Sequence, residues 1–459
     1  SYFRMWNTSS DTYDGTPTLQ NPFFQISPVS ESYLNYFNDI NHESSYVKDY
    51  MKRINTYLID EYHVDGFRFD LTKGMTNEVV AENYSTKRVN YLKSIADDIW
   101  EHDSDSYIIF EHFQNSEESV FSDYGIMSWG EENYQYNEAT MGYPSDFKGI
   151  SYKARGFSNP TLVGFMESHD KERLMYKNIT YGNSDGEYDI KNFDIALNRM
   201  KAAGALFLTV PGPKMIWQFG ELGFEKSINT CEDGTVSENC KLSRKKSAFE
   251  LSMQNDANRI KLYNTWSRIL NLRRSETIFK TENYSTTFSS DLKYMTLNDD
   301  DSDNIKKIII IANFGTQSKE INGVILPNGE WYDIFGNNTK INISDQNKLS
   351  LNPGQFIILG DKKSLIEDDE NLLLSSEKPK NNKIKIYPNP YRENVYIEMD
   401  HSIKLPLKAS LFNSNGSLVW EKKVYDHFYL LNSNLLSSGI YNLILSSNDF
   451  YSSKKIIKK

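Results

Sequence analysis

The 459-residue chain is short of several things, and each shortage excludes something. Cysteine occurs only at Cys231 and Cys240, with eight residues between them. Two thiolates are too few for a structural zinc site. A close pair in a loop containing Asp233-Gly234 can instead form a disulfide in an exported protein. No apolar run approaches the roughly 18 residues of a membrane-spanning helix. No charged start followed by an apolar core opens the chain, so no signal peptide is visible. Basic residues are the minority: 51 Lys and Arg against 62 Asp and Glu give a formal charge of -11. That balance argues against a nucleic-acid partner and suits a neutral substrate. What remains is ordinary globular composition, 39% hydrophobic and 25% charged, long enough for two to four domains.

The most informative stretch is VDGFRFDLTKG, residues 64–74. Val64, Phe67 and Phe69 carry a nearly apolar run to Asp70, which suits a strand buried on both faces. Val47, Tyr50, Met51, Ile54, Tyr57, Leu58 and Tyr62 recur before it at helical spacing, and Val89, Leu92, Ala96, Ile99 and Trp100 do so after it. Helix, buried strand, loop, helix is the unit of a parallel α/β sheet. Arg68 and Asp70 point to the same side of such a strand, at the end where α/β enzymes place their chemistry. Taken alone, Asp70 reads more readily as the cap of the next helix, neutralised by Arg68. Two later runs shift that balance. SYIIFEHF puts Glu111 after an apolar run, and TLVGFMESHD puts Glu167, His169 and Asp170 after another. In a closed parallel barrel three such strand ends converge on one face.

GFRFDLTKG, FEHF and FMESHD resemble, in order, the second, third and fourth signatures of the alpha-amylase family of glycoside hydrolases (family 13). PGPKMIWQFGELG resembles that family's last barrel strand and the loop after it, and the likeness covers about residues 20–360. The fold class implied is α/β: a partial TIM (β/α)8 barrel, an all-β C-terminal sandwich domain and a small β-sandwich sorting domain. Apolar runs mark strands at 64–70, 107–111, 124–129, 162–166 and 214–219, five where a closed barrel has eight. They are similar to strands four to eight. The family's first signature is expected upstream of Ser1, because NDINHES at 38–44 has the wrong spacing and reads as a loop before a helix. On that reading residues 1–44 end an inserted irregular domain, and the 459-residue chain by itself is expected to fold poorly and be inactive.

Helices are expected over 192–209, ended by Pro211 and Pro213, and over 257–274 with Leu262, Tyr263, Trp266, Ile269 and Leu270 buried. The barrel part thus spans 1–275. From 276 to 361 the period turns to alternation (KYMTLN, KKIIIIANF, EWYDIF, KINI, QFIIL), which reads as a β-sandwich. Residues 362–383 read as a linker in which LIEDDENLLL could form a short helix. From 384 to 459, Asn415-Gly416 between alternating runs signals a hairpin. IYPNP, LLSSGIYNLIL and the terminal KKIIKK resemble the C-terminal sorting domain of the type IX secretion system. The alternative for this block is an extra carbohydrate-binding sandwich.

The resemblance implies a division of labour. Asp70 would be the nucleophile, Glu111 the general acid/base and Asp170 the transition-state stabiliser. Arg68, Lys73, His169 and His112 would be the substrate-binding residues. Residue chemistry agrees with part of this: burial and neighbouring acids favour a protonated Glu111, and Arg68 favours an ionised Asp70. His169 also reads as a hydrogen-bond partner of Asp170, and Lys73 as a solvated lysine. Gly74 stands where the family often has His, and Ser168 where Asn is usual. A structural calcium is implied too, with the Gly74 carbonyl as one ligand. The substrate expected is an α-linked glucan such as starch or maltooligosaccharides, and the protein is expected outside the cell or on its surface, exported by type IX secretion machinery. A transglycosidase with the same intermediate and a non-catalytic glucan-binding relative are the alternatives.

Overall fold

Five short apolar runs become the parallel sheet that carries the site. In the computed structural model they are β1 (Gly66–Phe69), β2 (Tyr107–Phe110), β3 (Met127–Glu131), β4 (Leu162–Phe165) and β5 (Lys214–Met215). Each pairs in parallel with the next in chain order, so the sheet is an open half-barrel edged by β1 and β5. The structure describes residues 5–9, 12–25, 38–79, 82–366, 384–401, 403–413, 417–432, 436–447 and 450–459. The chain divides into two units, Ser1–Asp368 and Asp369–Lys459.

Helices alternate with the strands: α1 (Ser45–Tyr62), α2 (Thr86–His102), α3 (Asn115–Tyr124), α4 (Asn133–Met141), α5 (Leu174–Tyr181), α6 (Phe193–Phe207) and α7 (Ala257–Ser275). Their starts are written in capping residues: Ser85, Asn192 and Asp256 each accept first-turn N–H groups of α2, α6 and α7. α2 buries Val89, Leu92, Ile95, Ala96 and Ile99 against Phe110 and Phe121. α6 and α7 meet so closely at Gly204 that a Cβ there would lie 2.0 Å from the Trp266 indole nitrogen.

Several expectations are corrected. β1 is a sheet edge, and of its residues only Phe69 is buried. β3 begins at Met127 because α3 runs to Tyr124 and is closed by Gly125 at φ 94°. β5 stops at Met215 because the chain turns through Phe219 (φ 67°) into a short 3-10 helix, Gly220–Leu222. On α7, Tyr263 and Leu270 are exposed while Leu272 is buried. A residue next to a buried helical position lies about 100° away from it.

Residues 276–361 supply a sheet that serves two cores, one shared with the helices and one of its own. Strands β6 (Tyr284–Thr287), β7 (Leu292–Asn298), β8 (Lys307–Asn313), β9 (Gly329–Asp333), β10 (Thr339–Ile343) and β11 (Phe356–Gly360) make one antiparallel sheet in the order β6-β7-β8-β11-β9-β10. Alternation along β8 sends Ile308 and Ile310 into the cluster of α6 and α7, and Ile309 and Ile311 into a second one with Trp331 and Leu359. Two buried cations fasten the junction. Arg199 of α6 donates to the Ala139 carbonyl at 2.7 Å, to Thr140 at 2.6 Å and to Gly315 at 3.2 Å. Lys293 of β7 donates to the carbonyls of Ser145 (2.7 Å), Phe288 (2.6 Å) and Ser290 (3.0 Å).

The second unit is two antiparallel sheets around a core that includes Val395, Ile397, Leu407, Leu411, Leu443 and Ile456. One has three strands, β12 (Ile384–Tyr387), β13 (Asn394–Met399) and β16 (Phe428–Asn432). The other has four, β14 (Leu407–Phe412), β15 (Leu418–Val424), β17 (Gly439–Ser447) and β18 (Phe450–Lys458). β14 and β15 pair antiparallel as a hairpin requires. The Asn415-Gly416 turn lies outside the described residues, as does most of the LIEDDENLLL segment.

Candidate active site

The site is assembled from the residues just beyond β1, β2 and β4. Phe69 pairs with Phe110, so Asp70 and Glu111 follow side by side, and the Glu111 N–H donates to the Phe69 carbonyl at 3.0 Å. Arg68 reaches both acids: one guanidinium nitrogen contacts Asp70 Oδ1, and the other lies 2.8 Å from Glu111 Oε1. Its guanidinium also sits 5.4 Å from the ring centre of Trp129 on β3. The two carboxyls differ sharply in environment. The Asp70 side chain is 69% exposed and that of Glu111 only 10%. Burial pushes the Glu111 carboxyl up and the adjacent Asp70 adds to this, while the Leu71 N–H, 3.0 Å from Glu111 Oε2, and Arg68 oppose it; the net direction is up.

Asp170 is held from two sides, by Lys241 Nζ at 2.6 Å and His169 Nε2 at 3.0 Å. Burial pushes its carboxyl up, but Lys241, His169 and the more distant Arg68 outweigh this and hold it below the usual carboxylate range. The His169 ring lies 6.0 Å from that of Trp217. Arg68 therefore stands among all three acids, in contact with two and acting electrostatically on the third.

Other nominated residues sit elsewhere. Lys73 pairs with Glu82 at 2.9 Å. His112 does not reach the cleft. It is fully buried, with Nδ1 3.0 Å from Thr72 Oγ1 and Nε2 2.8 Å from Glu117 Oε2. Successive residues at a strand end face opposite ways, so when Glu111 faces the site His112 points beneath it. There it joins Glu117, which is paired with Arg88 at 2.6 Å, both side chains fully buried. Burial pushes Glu117 up, but His112, Arg88 and the Ser85 N–H bring it down to about 2. Glu167 is likewise buried and structural, accepting from Arg173 at 3.1 Å and the Leu174 N–H at 2.7 Å. The Gly74 carbonyl accepts the Thr76 N–H at 2.8 Å. Among the described residues no group of three His, Cys, Asp or Glu could hold a metal ion.

Trp129, Trp217 and Lys241 were not foreseen. An aromatic at the end of a parallel strand could have flagged Trp129. Nothing local marks Lys241, which lies 71 positions beyond its partner. It directly follows the loop closed by a Cys231–Cys240 disulfide, the pairing that the loop's length allows.

Residues 28–268, just over half the chain, match the family described as alpha amylase, catalytic domain, and residues 385–459 match the secretion system C-terminal sorting domain. No curated protein matches. Among solved structures, an alpha-amylase from Geobacillus thermoleovorans complexed with acarbose is similar at TM-score 0.53 and 14% identity, over 74% of this chain and 71% of that one. An Anoxybacillus alpha-amylase is similar at TM-score 0.52 and 13% identity, over 75% and 71%. A type I pullulanase from Bacillus subtilis complexed with maltose is similar at TM-score 0.51 and 18% identity, over 71% of this chain and 48% of the pullulanase. At such identities these likenesses speak for the fold alone. Together with the family match over residues 28–268, they assign the chain to the alpha-amylase family, with a C-terminal sorting domain of the type IX secretion system.

Proposed function

We propose that the protein is a retaining glycosidase of α-linked glucans, with Asp70 as nucleophile, Glu111 as acid/base and Asp170 as transition-state stabiliser. The observation that carries this reading is the single guanidinium of Arg68 spanning an exposed Asp70 and a buried Glu111 whose carboxyl is pushed up. The reaction needs one ionised and one protonated carboxyl, and the difference in burial between the two, with Glu111 pushed up, supports that division. Two acids sharing one guanidinium also leave little room for the intervening water of an inverting mechanism, which favours retention. In the first step a carboxylate oxygen of Asp70 bonds to the anomeric carbon, while the glycosidic C–O bond breaks and the Glu111 proton goes to the leaving oxygen. In the second, Glu111 takes a proton from water, whose oxygen displaces Asp70. Acarbose and maltose in complexes of the similar structures support an α-glucan substrate.

In the full-length protein, Asp70→Asn should lose the first step with every substrate. Glu111→Gln should fall about a thousandfold or more on starch. It should still be glycosylated by an α-glucosyl fluoride, whose leaving group needs little acid help, and azide should rescue its second step. Fluoride turnover kept by Asp70→Asn and lost by Glu111→Gln would reverse the roles. Product analysis distinguishes a hydrolase from a transglycosidase, since both use these residues. The sorting domain further supports export to the surface or medium. Removing residues 384–459 in a host with this secretion system should leave the protein in the periplasm, and unchanged export would sink the assignment.

A further inference from the structure

One loop reaches back over the site and touches the Asp170 segment twice. At its root, Ser227 Oγ donates to Glu172 Oε2 at 2.6 Å and the Ile228 N–H to Glu172 Oε1 at 3.1 Å. The Cys231–Cys240 disulfide then closes the loop. Inside it, the Cys231 N–H donates to the Thr235 carbonyl at 2.7 Å, and the Cys240 N–H to that of Ser237 at 2.9 Å. Lys245 Nζ donates to the Cys240 carbonyl at 2.6 Å. The residue immediately after the bridge is Lys241, whose ammonium lies 2.6 Å from Asp170 Oδ1.

We propose that Lys241 is a positioning residue for Asp170, and that the Cys231–Cys240 bridge keeps it in place. Both side chains of the pair are nearly half exposed, 43% and 44%. A lysine on a free loop would give up about as much rotamer freedom as such a pair returns. Closing the loop covalently removes most alternative positions before the pair forms. The titratable and charged groups facing Asp170 among the described residues are Lys241 from the loop, His169 from its own segment and Arg68 from β1. The neighbouring Lys171 is instead 2.8 Å from Glu131. Lys241 thus engages one oxygen of Asp170, helps hold its carboxyl low and leaves the second oxygen to His169. For its catalytic consequence the proposal rests on the glycosidase reading, in which Asp170 must hold one orientation while the sugar ring distorts.

The test begins without turnover. In protein labelled with carbon-13 at the aspartate carboxyls, the Asp170 signal is identified by its loss in Asp170→Asn. Lys241→Ala should move its titration midpoint to higher pH, and Lys241→Arg should restore most of the shift. Dithiothreitol on the wild type, and a Cys231→Ser/Cys240→Ser variant, should each give a smaller shift of the same sign. Dithiothreitol should do nothing further to the double variant. An unmoved midpoint in Lys241→Ala overturns the positioning role, and an unmoved midpoint without the bridge overturns the part assigned to the disulfide. With a maltooligosaccharide, Lys241→Ala should lose about two- to fivefold in kcat/KM, mainly through kcat, with the acid limb of the pH profile moved upward. A lower KM at unchanged kcat would make Lys241 a competitor for the sugar's place and overturn the proposal. If the midpoint moves as expected while the wild type cleaves no glucan, the positioning role stands and the glycosidase reading falls.

Discussion

Two ion pairs in this molecule have the same length, 2.6 Å, and opposite characters. Arg88–Glu117 lies beneath the site with both side chains fully buried. Lys241–Asp170 lies on top of it with both nearly half exposed. The buried pair is satisfied on all sides. Arg88 also donates to the carbonyls of Lys73 (2.9 Å) and Asn83 (2.7 Å), and Glu117 accepts from the Ser85 N–H at 2.6 Å. From Glu117 the contacts continue through His112 to Thr72, whose hydroxyl donates to the Glu111 carbonyl at 3.0 Å. A buried charge deprived of its partner is expensive, whereas an exposed pair of the same length is nearly free to dissolve. Distance alone therefore says little. The Glu111 side of the site is held by buried partners, and the Asp170 side by an exposed pair whose lysine follows a disulfide-closed loop.

The comparison breaks most visibly at Arg88. Arg88→Met leaves Glu117 buried without its main counter-charge and should destabilise the first unit by about 3–5 kcal/mol. A lowered urea midpoint at unchanged slope would report this. A loss below about 1 kcal/mol would show that the buried pair is no more important than an exposed one.

Acid should sharpen it next. Glu117 is held at about 2 against an ordinary 4.5, so its contribution is complete above about pH 4.5 and is lost as pH falls toward 2. The loss should be on the order of 3 kcal/mol. His112 works in the same direction from a higher pH: burial holds its pKa below 6.5, so below that value the unfolded chain gains a proton the folded chain resists. Stability curves against pH for wild type and Glu117→Gln should converge in the acid range, and parallel curves would contradict the assignment.

The smallest effect is expected at the surface. Lys241→Ala should change stability by less than about 1 kcal/mol, read from the same urea curves. A larger loss would mean that the loop pair also supports the fold.

Much of this arrangement is legible in the chain, for local reasons. Asp70 and Glu111 meet because each ends an apolar run, and adjacent parallel strands in register bring such ends together. The helices expected from 192 and from 257 begin within a residue of those positions, at the caps Asn192 and Asp256. What is not legible is set by neighbours far away in sequence. His112 shares a motif with Glu111, yet alternation turns it under the sheet. Lys241 approaches Asp170 only because a disulfide loop folds back. The exposure of Tyr263 and Leu270 depends on where α6 presses on α7, and that is fixed by Gly204 against Trp266.

The fastening by Arg199 and Lys293 also bears on how such a protein can evolve. A module joined by a bare linker can be exchanged between genes, because nothing on either side needs the other to be complete. The sheet β6–β11 is not of that kind. Arg199 takes carbonyls from both α4 and the strand-end residue Gly315, and Lys293 reaches back from β7 to Ser145. A recombination breakpoint after α7 would strand two buried cations at once, each facing an interior shaped for a different relative. The half-barrel and its β-sheet should therefore be inherited together and drift together, as one unit of descent.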